Sequence, residues 1–143
     1  MARTLALFGV MRLISLSQPP TGLPDPQNAA LRASFSSTKD WAAQNAEFQA
    51  SPATNAQVLG ARGLGALPLF VLTATEHAAA PDLERQWQAW QAGYPALSTN
   101  SVQRVLRGAT HESLVFSPMD SQVTAGAILQ VVEAARTGGR LKP

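Results

Sequence analysis

The stretch Leu67-Pro68-Leu69-Phe70-Val71-Leu72-Thr73-Ala74 decides the fold. It is a nearly unbroken apolar run that follows a glycine-rich segment (Gly60, Gly63, Gly65). Such runs mark strands buried on both faces, as the strands of parallel sheets are. A helix is predicted next, over 81–94. Its Leu83, Trp87, Trp90 and Tyr94 fall at helical spacing on one stripe. Pro81 suits the first turn, and Asp82 and Glu84 complement the helix dipole there. A second, shorter strand is predicted over 102–106. Asp120 or Ser121 can then cap a final helix over about 122–137. Its stripe is Val123, Ala127, Ile128, Val131, Val132 and Ala135, and Gly138-Gly139 ends it. The order strand, helix, strand, helix implies parallel, adjacent strands joined by a right-handed crossover.

Outward from this core, residues 1–66 read as helical and loop-linked, with no strand-like run. The connector 18–27 holds Pro19, Pro20, Pro24, Pro26 and Gly22. Leu31 and Phe35, then Trp41 and Phe48, sit at helical spacings. Ser51-Pro52 reads as an N-cap and first-turn proline, starting a short helix that runs to about Leu59. The fold class is therefore α/β and helix-rich, with at least three helices before the first strand. The expected division is 1–66 and 67–143.

The 143 residues are one domain's worth of chain. Hydrophobic residues are 45% and charged residues 14%, which excludes a disordered chain. Zero cysteines exclude a disulfide scaffold and a thiolate zinc site. The net charge is only +2, and no basic run interleaves with aromatics, so nucleic acid is not an expected partner. No stretch is apolar enough to span a bilayer. Residues 1–18 admit two readings: a capping helix ending at the proline pair, or a signal peptide with Arg3 and a short apolar core. Arg12 and the lack of a small-residue cleavage site favour the helix, and with it a cytoplasmic location.

The run 67–74, the Trp-rich helix, Leu97-Ser98-Thr99-Asn100-Ser101 and Val105-Leu106-Arg107-Gly108-Ala109-Thr110-His111 together resemble the C-terminal portion of an alpha/beta-hydrolase of the esterase and lipase-like kind. Ser117-Pro118 and the helix with Ala127-Ile128 and Val131-Val132 continue the likeness, which covers about half the chain. Residues 1–66 resemble that fold's helical lid. The resemblance implies that the two strands are the last two of a parallel sheet. It also implies a serine hydrolase acting on a small carboxylic ester, or a lipolytic enzyme, without cofactor or metal.

That chemistry is nucleophilic acyl transfer: a serine attacks a carbonyl, a histidine takes its proton, and a carboxylate orients the imidazole. The resemblance implies His111 as the base, since it follows the last strand. It implies Glu76, just beyond the penultimate strand, as the carboxylate, with Asp82 as the second candidate. His77 reads as a loop residue, and Glu112 and Ser113 fit neither role. The pattern departs from the family at the nucleophile. No Gly-x-Ser-x-Gly occurs in the chain, and nothing resembles an oxyanion-hole loop. The expectation is a truncated hydrolase, or one whose nucleophile another chain supplies.

Two alternatives stand beside it. Ser36-Ser37-Thr38-Lys39 matches Ser-x-x-Lys, in which a lysine one helical turn on serves as the serine's base. Its companion motifs Lys-Thr-Gly and Ser-Asp-Asn are absent, and a polar helix face with Asp40 capping the next helix is the plainer reading. The other alternative is a non-catalytic, self-associating module. The strand at 67–74 would lack a neighbour on its far side, which predicts a homo-oligomer. Glu76, His77, His111 and Glu112 lack metal-ligand spacing, and 60–65 fails the dinucleotide-binding pattern.

Overall fold

The computed structural model describes residues 10–17, 21–61, 63–77 and 80–143. The chain divides into two compact units, Met1–Ala61 and Arg62–Pro143, so the boundary falls inside the glycine connector and not at its end. Most of the segment read as a signal peptide lies outside the described residues. No helix among the described residues is long and apolar enough to cross a membrane.

The first unit holds helices α1 (Val10–Ser17), α2 (Asp25–Phe35) and α3 (Thr38–Leu59). The proline connector is pinned by Asn28, which is buried. Its Oδ1 accepts from the Thr21 N–H at 3.0 Å and from the Thr21 hydroxyl at 2.7 Å, and its Nδ2 donates to the Leu23 carbonyl at 2.5 Å. The junction between α2 and α3 is a cap: Ser37 Oγ accepts from the Asp40 N–H at 3.3 Å. Asp40 was expected to cap this helix. It stands instead at the third helical position, accepting a 2.5 Å bond from the Ser34 hydroxyl. Trp41 packs edge-on against Phe35, and its indole N–H donates to the Phe35 carbonyl at 2.9 Å.

The expected helix start at Ser51-Pro52 is not there. α3 runs through Pro52 without a break, and Ser51 Oγ donates back to the Glu47 carbonyl. An interior proline costs a helix about 3 kcal/mol. Here the Ala- and Gln-rich flanks, which are strong helix formers, outweigh that cost.

The second unit is built on β1 (Leu69–Glu76) and β2 (Ser101–Thr110), paired in parallel from Leu69 with Ser101 to Ala74 with Leu106. Between them lie α4 (Pro81–Gly93) and a 3₁₀ turn (Tyr94–Leu97), and α5 (Ser113–Phe116) and α6 (Pro118–Thr137) follow. The α/β class with two adjacent parallel strands is thus present, as is the helix that joins them. Three described helices precede the first strand.

The details of packing differ from expectation in three places. On α4, Gln91 is the buried residue, while Leu83, Trp90 and Tyr94 of the expected apolar stripe are exposed. Gln88 turns toward β1 because it satisfies a backbone carbonyl that no apolar side chain can, and Gln103 of β2 does the same for α4. Gln88 Nε2 donates to the Ala74 carbonyl at 2.7 Å, and Gln103 Nε2 reaches both Thr73 Oγ1 and the Gln91 carbonyl. On α6, Ala127 and Ala134 are buried and Ala135 is exposed, so the stripe is turned from the expected one. The cap of α6 is Ser117, with Pro118 in the first turn, which starts the helix one turn earlier than expected. Gly138, at φ +67°, ends it in the left-handed conformation that glycine adopts most readily.

Thr73 is the most buried side chain of the unit at 1% exposure, with Val71, Ala74 and Ala109 also buried around the strands. Asn100 closes the other end of the sheet. Its Nδ2 donates to the Gly139 carbonyl at 3.1 Å, and its Oδ1 accepts from the Leu141 N–H at 2.9 Å. The side chain thereby pairs with a segment 39 to 41 residues away as a strand backbone would.

Candidate functional site at the strand ends

Parallel strands bring their C-terminal ends to one side, and β1 and β2 do so here. Glu76, the last residue of β1, is in register with Thr110, the last of β2. A bulge makes this possible. Ala74 pairs with Leu106 but Glu76 with Thr110, so β2 spends extra residues at 107–109. Gly108 sits there at φ +75°, a conformation costly for any residue with a Cβ. Thr75 Oγ1 holds the bulge by accepting the Gly108 N–H at 2.9 Å. Bulges of this kind re-aim the chain at the end of a strand. Here the chain passes into the turn that carries His111.

That turn is fixed reciprocally. Thr110 Oγ1 accepts from the Ser113 N–H at 3.1 Å, and Ser113 Oγ accepts from the Thr110 N–H at 3.0 Å, a capping box at the start of α5. Ser113 Oγ in turn donates to Asp120 at 2.6 Å, which ties the turn to α6.

His77, the first residue past β1, is the partner that sequence reasoning missed. Its ring stacks on Trp87 with centroids 3.8 Å apart and planes at 17°. It stands edge-on to His111 with centroids 6.3 Å apart. The His77 N–H donates to Glu84 Oε2 at 2.8 Å, and Glu84 Oε1 accepts from Gln88, so α4 holds the end of β1 through one carboxylate. The two histidines, Trp87, Gln91, Leu114, Leu72 and Ala74 line a cavity of about 150 Å³. The same parallel-end rule that placed His111 here also places His77.

Of the two expected site residues, His111 lines this cavity. Glu76 is exposed at the end of β1, and neither a hydrogen bond nor an ion pair joins it to His111. Glu112 is a carboxylate whose charge interacts with both histidines. Its own backbone N–H and the Thr110 hydroxyl hold its pKa below the ordinary value, against slight desolvation, and the charges of His111 and His77 add to the lowering. Asp82 pairs with Arg85 on the surface of α4. Ser36 and Lys39 do not share a helix. Ser36 closes α2 and donates to the Arg32 carbonyl at 2.9 Å, while Lys39 lies exposed in the first turn of α3.

A larger groove of about 620 Å³ runs between α6 and residues 139–142, but no histidine lines it. Among the described residues no group of three or more His, Asp or Glu side chains could hold a metal ion. The fold and site together define a small parallel β-α-β unit with paired imidazoles at its strand ends. No protein-family model, curated protein or solved structure gives a match to this chain.

Proposed function

We propose that the strand-end cavity is the acid–base half of an acyl-transfer site of the serine-hydrolase kind, acting on a small carboxylic ester. His111 is the general base. Glu76 orients it, and the competing carboxylate is Glu112. The observation that carries this reading is His111 lining a cavity just past the C-terminal end of a parallel strand, where ligands gather in α/β sheets. The bulge at Gly108 and the Thr110–Ser113 box fix the backbone on both sides of the base, which a positioned catalyst needs. Trp87, Leu72 and Leu114 supply apolar walls suited to a short acyl chain. The chain has no Gly-x-Ser-x-Gly, so on this reading the serine lies outside these residues, on a longer form of the chain or on a second polypeptide.

Without that serine, His111 can still activate water, and general-base catalysis of this kind is worth about 10²–10⁴-fold. The purified chain should therefore cleave a short-chain chromogenic ester slowly, and His111→Ala should return the rate to that of buffer. Glu76→Gln lowering the rate more than Glu112→Gln identifies Glu76 as the orienting group. A rate indifferent to His111→Ala rejects the reading, and one lost only in Ser36→Ala would move the chemistry to the first unit.

A further inference from the structure

We propose that the free edge of β1 pairs with β1 of a second copy of this chain, antiparallel and centred on Val71. The direction of the backbone groups follows from the ladder. The Leu69 N–H donates to the Asn100 carbonyl at 3.0 Å, so residue 69 and every second residue after it point toward β2. Phe70, Leu72 and Ala74 therefore point away from β2. The outward N–H and C=O of Phe70 and Leu72 have no hydrogen-bond partner among the described residues. The Ala74 carbonyl differs, because Gln88 Nε2 already donates to it at 2.7 Å.

These facts select a register. Centred on Val71, Phe70 of one copy exchanges both of its bonds with Leu72 of the other, and the reverse. Ala74 then faces Pro68. The Pro68 carbonyl accepts the Ala74 N–H. Proline has no N–H to give to the Ala74 carbonyl, and that carbonyl is the one Gln88 occupies. Centring on Leu72 instead aims the Phe70 N–H at the engaged Ala74 carbonyl. Centring on Phe70 leaves the Leu72 carbonyl against Pro68. Only the pairing about Val71 leaves no outward group of 70–74 contradicted, and it is self-complementary, as a two-fold interface must be. The edge also lacks the charges that block pairing, since the only charged residue of β1 is Glu76, at its end. The occupant is thus a second copy and not an unrelated strand, whose sequence would not have to mirror the Pro68–Gln88 arrangement.

The chain has no native cysteine, which makes the test direct. In this register the two Val71 residues form a non-hydrogen-bonded pair with Cα atoms about 4.5 Å apart, within disulfide range. The two Phe70 residues are diagonal neighbours, about 7–8 Å apart, and out of range. Light scattering on the unmodified chain should give twice the 15.1 kDa chain mass. Mild oxidation should link most of Val71→Cys and little of Phe70→Cys. If Val71→Cys fails to fold, the double variant Leu69→Cys/Thr73→Cys reads the same interface, because those positions face each other across it. A monomeric unmodified chain overturns the proposal. So does a dimer in which the cysteines at 71, or at 69 and 73, stay unlinked.

Discussion

The two units of this chain use opposite means of holding backbone in place. Among the described residues of Met1–Ala61 the bonds that fix the helix junctions are short-range, spanning seven residues or fewer at Ser37, Asn28 and Trp41, and the 22-residue α3 buries none of its residues. In Arg62–Pro143 the deciding bonds span 30 to 41 residues: Gln103 to Thr73, Thr99 to Gly65, Asn100 to 139–141. A helix satisfies its own backbone and can stand exposed, whereas a strand cannot exist without a distant partner. Burial therefore concentrates where pairing is long-range, and the candidate site lies there too.

The comparison breaks most sharply with a charge. Ala109 is 3% exposed beside the bulge, and Phe48 is 75% exposed on α3. Ala109→Glu should cost at least about 3 kcal/mol in denaturant unfolding, because it buries an unpaired carboxylate. Phe48→Glu should stay within about 0.5 kcal/mol. If the two cost the same, the units are not built differently.

Smaller and more pointed is the pair Asn100→Ala and Ser37→Ala. The first strands two long-range backbone groups, at about 1–3 kcal/mol for a buried group left unpaired. The second removes one local cap, worth about 1 kcal/mol. Measured by the same unfolding curves, the larger loss should fall on Asn100.

The smallest effect is a titration. The carboxyl of Glu112 has its pKa lowered in the folded chain, so its contribution is present above the ordinary value of 4.5 and is lost as pH falls through the folded value. The stability difference between the wild type and Glu112→Gln should shrink on acidification below about 4.5. A difference that stays unchanged through that acid range would mean that the fold does not favour the charged carboxylate.

The sequence made the parallel pair legible because an apolar run followed by a strong helix and a second run leaves little choice of topology. It blurred the ends. β2 was expected over 102–106, yet it runs from Ser101 to Thr110 and passes through Gly108 as a bulge. β1 was expected to begin at Leu67, but it begins after Pro68 and extends through Thr75 and Glu76. Hydropathy also mistook the faces of α4, since Gln88 is drawn inward by the Ala74 carbonyl and the Gln91 backbone carbonyl is met by the Gln103 side chain, contacts that no hydrophobic pattern displays. His111 was singled out by its position after the second strand together with the motif that carries the family resemblance. His77 was passed over because a polar residue after a strand looks like loop until Trp87, ten positions on, is seen against it.

The clasp made by Asn100 has a kinetic side. Its two bonds join segments about forty residues apart, and they can form only after β2 has paired and α6 has returned the chain to the sheet. Closing so long a loop adds entropy cost before any reward arrives. The clasp is therefore expected to form beyond the barrier, which Asn100→Ala would show by unfolding faster while folding at an unchanged rate. Interactions absent from the transition state leave the folding rate alone and set how fast the native state opens. Asn100 is in this sense a latch: it governs the lifetime of the folded second unit rather than the speed of its formation.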